Sequence, residues 1–176
     1  MLGSLVASRM AAPSSGSKAD HEPFLRQAIE LSRRAALDFG TGGAFGALIV
    51  KEGQVIATGM NRVVASHDPT WHGEMEAIRL ACITLQSFKL PGCVLYTSAE
   101  PCPMCLAACY WAGIEAVVYA ASVEDALTYG GFDDRPIYEQ LALPKDERSI
   151  RLTQLLREEA LEVWKAYQAR PDRVRY

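Results

Sequence analysis

The sequence predicts an α/β protein, a three-layer α/β/α sandwich around a central five-stranded mixed sheet. Three observations lead there. After an opening hairpin the chain alternates strand, helix, strand, helix, strand, the order that builds layered sheets. Two of those strands, 93–97 and 115–121, are nearly continuous apolar runs, as strands covered on both faces are. The residues best suited to bind a metal fall at helix starts along one end of the sheet, where open α/β folds place their sites.

The elements follow in order. Residues 1–19 hold Ala-Ala-Pro-Ser-Ser-Gly-Ser and are expected to be a disordered tail, leaving 20–176 as a single domain. His21 falls at the edge of that tail and reads as solvated. A first helix is expected from Glu22, with Pro23 in its first turn, Asp20 as a cap and Gly40 as its stop. Phe45–Val50 and Val55–Met60 form a hairpin around Glu52-Gly53. Asn61 ends the second strand, either as a loop cap or as an amide able to read the edge of a flat heterocycle. Gly42-Gly43-Ala44-Phe45-Gly46 opens a strand and lacks a Gly-Lys-Ser/Thr ending, so it signals close backbone packing rather than a phosphate loop. A second helix spans 72–88, with an apolar stripe of Met75, Ile78, Ala81, Cys82 and Leu85; Glu76 and Arg79 share its surface as an (i, i+3) pair. A third helix spans 102–112 and ends at Gly113. Ser122 caps a short helix, 131–134 is a loop with two adjacent acids, 148–156 is the fifth strand, and 157–169 is the last helix.

The chemistry concentrates in His72-Gly73-Glu74 and Pro101-Cys102-Pro103-Met104-Cys105. Two cysteines three apart at a helix start can aim both thiolates at one ion, and the helix N-terminus favours their negative charge. Pro103 suits the first turn, where its missing N–H costs nothing. With His72 the set is one nitrogen and two sulfurs, a three-ligand zinc site with its fourth position open, the catalytic rather than the structural arrangement. Glu74, two residues past the histidine, points away from the ligand direction and is placed to carry a proton beside the metal. A structural Cys/His knot would need a fourth ligand and would leave Glu74 without a role.

Composition narrows the alternatives. The 176 residues are 49% hydrophobic and 22% charged, ordinary for a globular chain. The net charge of −3 and a pI of about 5.6 provide no basic field of the kind nucleic-acid binding uses. No apolar run reaches membrane-spanning length, and Met1–Met10 lacks the charged and apolar regions of a secretory signal. Of five cysteines, Cys82, Cys93 and Cys109 fall in apolar segments and read as buried free thiols, which favours a reducing, cytoplasmic setting.

The pattern H-x-E…P-C-x-x-C is a signature of zinc nucleobase deaminases. Together with Gly-Ala-Phe-Gly-Ala at 43–47, Asn61, Asp-Pro-Thr at 68–70, Tyr110-Trp111, Gly-Phe-Asp-Asp at 131–134, Ile137-Tyr138 and Tyr176, it makes residues 22–176 resemble the cytidine-deaminase-like superfamily. Within that superfamily the chain resembles the small bacterial guanine deaminases. The resemblance implies one zinc ion on His72, Cys102 and Cys105, with Glu74 as proton shuttle and Asp134 as a second carboxylate near the leaving amino group. It implies Asn61, Asp133 and the backbone at Gly73 as contacts to the base. Phe45, and Trp111 from a neighbouring subunit, would stack on the ring, and Tyr176 would close over it in a domain-swapped homodimer. Gly73 stands where the family commonly has Ala, Ala44 where Pro is common, and Ala99 where Ser or Cys is frequent; these departures bear on substrate choice. Cytosine, guanosine, an aminotriazine or adenosine in transfer RNA are the alternative substrates, and a zinc-stabilised interaction module is the non-catalytic alternative.

Overall fold

The structure is a computed structural model and describes residues 17–175. The chain divides after Asp133 into two compact units.

The first unit opens with α1 (Lys18–Arg33), four residues earlier than the sequence suggests, followed by a π-helical turn, Arg34–Asp38. Ser17 is the cap, and its N–H and Oγ both donate to Asp20 at 2.8 and 2.9 Å. Asp20 is therefore the helix's acidic N3 partner rather than its cap. His21 is not solvated: its Nδ1 lies 2.8 Å from the Tyr96 hydroxyl, and its ring packs on Tyr96 with a centroid separation of 5.8 Å.

Four strands follow: β1 (Gly46–Lys51), β2 (Gln54–Met60), β3 (Cys93–Ala99) and β4 (Ala116–Ala121), interleaved with α2 (Val63–Ser66), α3 (Gly73–Thr84), α4 (Pro103–Ala112) and α5 (Val123–Gly130). The sheet order is β2-β1-β3-β4, with β1 antiparallel to both neighbours and β3 parallel to β4. Strand alternation sorts the core into two layers. Leu48, Val50, Val94 and Tyr96 face α1 with Ala28 and Leu31, whereas Ala47, Ile49, Cys93 and Leu95 face α3 and α4 with Ala77, Ile78, Ala81, Cys109 and Ala112. The layered mixed sheet is as expected, but its strand count is four, not five. Residues 148–156 form no strand: Ile150 and Leu152 line a surface cavity with Pro136, Ile137 and Leu141 and stay exposed, and the segment is tied to α6 through Ser149 rather than to the sheet. Leu156 then adopts a left-handed backbone, φ 54°, which ends any extended run before the last helix. β4 is an edge strand; Val117 packs against the α3 and α4 layer and Ala116 and Val118 against the α1 layer, so both faces are covered, though only in part.

The helix α3 is set down on the hairpin through glycine. A Cβ on Gly59 would lie 2.1 Å from the Gly73 carbonyl oxygen and 2.6 Å from the Ala77 nitrogen. Backbone cannot yield to such overlap without shifting the helix. Gly59→Ala is therefore expected to destabilise the protein by about 3 kcal/mol, the upper range for overpacking, and to lower Tm by about 6–12 °C. Thermal unfolding followed by circular dichroism checks this; an unchanged Tm would show that the contact tolerates a methyl group.

The second unit contains α6 (Arg135–Ala142) and α7 (Arg157–Ala169). The sequence reading anticipates α7 and misses α6, whose proline at the start mimics a loop. Ser149 N–H donates to Gln140 Oε1 at 2.6 Å, tying the intervening segment back to α6, and the Tyr167 hydroxyl donates to the Val174 carbonyl. Among the described residues, no helix is long and apolar enough to cross a membrane.

Candidate metal centre

Two helix starts converge at the site. His72 is the cap residue of α3 and Cys102 that of α4, each with extended backbone just before the first turn. Pro103 occupies the first helical position of α4, and Cys105 lies two residues further in the same turn. Gly113, at φ 68°, closes α4 with a left-handed cap.

The three side chains meet. His72 Nδ1 lies 3.6 Å from Cys102 Sγ and 3.5 Å from Cys105 Sγ, and all three donor atoms fall within 4.8 Å of one another. A tetrahedral zinc with ordinary Zn–S and Zn–N bonds has an N···S edge of about 3.6 Å. The donor set therefore fits zinc in chemistry and in spacing, with Nδ1 as the histidine ligand atom.

The charge pattern agrees. A hydrogen bond from Cys105, aided by His72, outweighs burial and brings the Cys102 thiol down to about 4. The same bond to Cys102, reinforced by burial, pushes Cys105 far up. A divalent cation held by the pair would favour thiolate on both. Burial, with the Glu74 charge adding to it, pushes Cys109, deeper in α4, up to about 12.

Glu74 lies beside this centre, in the first turn of α3 and 3% exposed. Its Oε1 accepts from Thr97 Oγ1 at 3.1 Å. Its Oε2 is buried and has no hydrogen-bond partner among the described residues. Burial raises its pKa, opposed by backbone hydrogen bonding, by His72 and by Thr97. A carboxylate held by one oxygen, with the other unmatched in a buried site, is suited to exchanging a proton.

The remaining expected site residues are distributed as follows. Asn61 is 4% exposed at the end of β2; its Oδ1 accepts from Val63 N–H at 3.2 Å, and Gly42 packs directly on that oxygen. Gly73 lies where a Cβ would be 3.2 Å from Gly46 Cα and 3.3 Å from the Phe45 carbonyl oxygen. The Phe45 ring meets Phe132 edge-on, at 4.9 Å between centroids. Both rings line a cavity of about 370 Å³ bounded by α1, the end of β4 and α5; neither Asn61 nor any of the three metal donors lines it. Trp111 is exposed near the end of α4, and its carbonyl accepts from Lys89 Nζ at 2.6 Å. Asp133 ends the first unit and Asp134 begins the second, immediately before α6. Tyr176 lies outside the described residues. Glu100, which follows β3, turns toward α5, where its Oε2 accepts from Val123 N–H at 3.3 Å.

Two residues that bear on the site escaped the sequence reading. Thr97 anchors Glu74, and its signal was a lone hydroxyl on the face of β3 shared by Cys93 and Leu95. Glu76, which the sequence pairs with Arg79 on the surface, turns instead to β2, its Oε2 accepting from Met60 N–H at 2.7 Å.

Fold and site together define a zinc-dependent deaminase. Residues 18–121 match the cytidine and deoxycytidylate deaminase zinc-binding region, and the chain belongs to that family. It is 48% identical to guanine deaminase of Bacillus subtilis over 84% of this chain and 94% of the relative. The crystal structure of that enzyme superposes with a TM-score of 0.83 at 46% identity, covering 89% of this chain and 98% of the other. A structure of guanine deaminase from Nitrosomonas europaea is 34% identical with a TM-score of 0.58, over 92% and 87% of the two chains. A tRNA-specific adenosine deaminase of Aquifex aeolicus is 44% identical, but over 57% of this chain and 65% of its own.

Proposed function

We propose that this chain hydrolyses free guanine to xanthine and ammonia. The observation that carries the mechanism is Glu74: a buried carboxylate with one oxygen anchored and the other unmatched, beside three converged metal donors. The extent of identity to guanine deaminase supports the choice of base.

His72, Cys102 and Cys105 would hold the zinc. When bound, the ion acts as a Lewis acid that lowers the pKa of water toward neutrality. The chain's own residues manage the protons and the orientation. Guanine C2 is electron-poor because ring nitrogens flank it. Glu74 takes the proton of the attacking water and passes it to N3. It then moves a second proton to the exocyclic nitrogen, which is a poor leaving group until protonated. The C2–N bond breaks, ammonia departs, and the oxygen remains on C2. Asp134 is the second carboxylate at the leaving nitrogen.

Asn61 Oδ1 is engaged by the backbone of Val63, so the amide's Nδ2 donors are the atoms offered to the base. The backbone at Gly73 and the Asp133 carboxylate complete the edge contacts, and Phe45 stacks on the ring. Trp111 reaches the site of a second copy. The exposed Tyr110 and Trp111, 79% and 64% accessible, support such a homodimer. The cysteines are all free, in keeping with a cytoplasmic location.

A panel of guanine, guanosine, cytosine, ammeline and a transfer-RNA anticodon stem, each assayed for released ammonia, tests the reading. Guanine should give the highest kcat/KM, with xanthine as product. Preferential deamination of the RNA would overturn it.

A further inference from the structure

We infer that Glu76 is a positioning residue that holds Asn61 in register with the helix carrying His72 and Glu74. This rests on the proposed role of Asn61 in binding the base.

Glu76 lies on α3, four residues after His72 and two after Glu74. Its side chain is 18% exposed. Oε2 accepts from the Met60 N–H at 2.7 Å, and Oε1 lies 3.9 Å from Arg62 Nε. These two partners flank Asn61 on either side. β2 is an edge strand whose inner neighbour is β1, so alternate backbone N–H groups point away from the ladder. The Asn61 N–H turns inward to the Phe45 carbonyl at 2.9 Å. The Met60 N–H therefore points outward, toward α3, where the sheet supplies no acceptor. A carboxylate on the helix fills that position, and a hydrogen bond to an ionised acceptor is among the stronger kinds. The next residue is held as well, because Arg62 N–H donates to the Trp71 carbonyl at 3.0 Å, one residue before His72. Together with the Gly59–Gly73 contact, these bonds fix the end of β2 to the start of α3. The Arg62 ion pair is long and its arginine is 44% exposed, so the hydrogen bond to Met60 does the holding.

The test compares Glu76→Ala, Glu76→Gln and Arg62→Ala. Glutamine keeps an oxygen able to accept from Met60 N–H; alanine does not. Loss of register should raise KM for guanine more than it lowers kcat, cutting kcat/KM about tenfold or more in Glu76→Ala. Glu76→Gln and Arg62→Ala should stay within about threefold of wild type. Zinc content should be unchanged in all three. Amide hydrogen exchange reads the same contact without turnover: Met60 should exchange faster in Glu76→Ala and at the wild-type rate in Glu76→Gln. Unchanged Met60 exchange in Glu76→Ala overturns the inference, as does glutamine behaving like alanine. If the wild-type protein does not act on guanine, the functional reading fails, and the exchange comparison still decides this one. Should Glu76→Ala not fold, rapid exchange at Met60 in the wild type would overturn the inference, and strong protection preserved in Glu76→Gln would support it.

Discussion

Glu74→Gln is expected to reduce turnover of guanine by about 10²–10⁴-fold, the range for removing a general acid–base. Zinc content should stay at the wild-type level. Glutamine has the same shape and can still accept from Thr97 Oγ1, so the change removes the proton carrier and little else. It also removes a charge from a buried position. Burial raises the Glu74 pKa above its ordinary value of 4.5, so in metal-stripped protein the folded state holds this proton more tightly than the unfolded one. That contribution is fully present below the unfolded value and is lost as pH rises through the folded value. Metal-stripped wild type should therefore lose stability relative to Glu74→Gln as pH rises above the ordinary carboxylate value of 4.5, with nearly equal Tm below it. Steady-state kinetics, elemental analysis and a pH series of melting curves check the three parts. A variant with full turnover would exclude Glu74 as the proton carrier.

Cys105→Ala is expected to abolish zinc binding. Cys105 is fully buried in the first turn of α4, and its loss leaves two donors for an ion that takes three protein ligands at a catalytic site. Removing a ligand bound at a thousandfold over its Kd costs about 4 kcal/mol of apparent stability. For a chain of this size that lowers Tm by about 8–16 °C. A chelator should lower the wild-type Tm toward the variant's value and leave the variant unmoved. A Cys105→Ala protein that retains stoichiometric zinc and activity would remove this sulfur from the centre.

The metal centre was legible in the sequence because its spacing rule is local. Cys102 and Cys105 share one helical turn, and His72 and Cys102 each sit at a helix start marked by a break before it. The hairpin, α3, β3, α4 and α7 were readable for the same reason, since periodicity and caps act within a few residues. The errors arose where partners distant in sequence decide the outcome. Segment 148–156 carries apolar residues at strand spacing, yet Ile150 and Leu152 stay exposed at a cavity they share with Ile137 and Leu141 of α6. β4 is doubly covered only in part, Val117 on one face and Val118 on the other, because it ends the sheet. Glu76 looked like half of a helical ion pair because Arg79 is three residues on. Its actual partner, Met60, is sixteen residues back, across the glycine contact. His21 looked like tail and instead meets Tyr96, which follows it by 75 residues.

Zinc-dependent removal of an amino group from guanine, at one centre per chain, underlies the turnover results expected above. Zinc titrated into metal-stripped protein, while ammonia release from guanine is followed, tests both halves together. The expected result is activity that rises linearly and breaks at one zinc per chain. Full activity before any metal is added, or none from guanine at any loading, would contradict it.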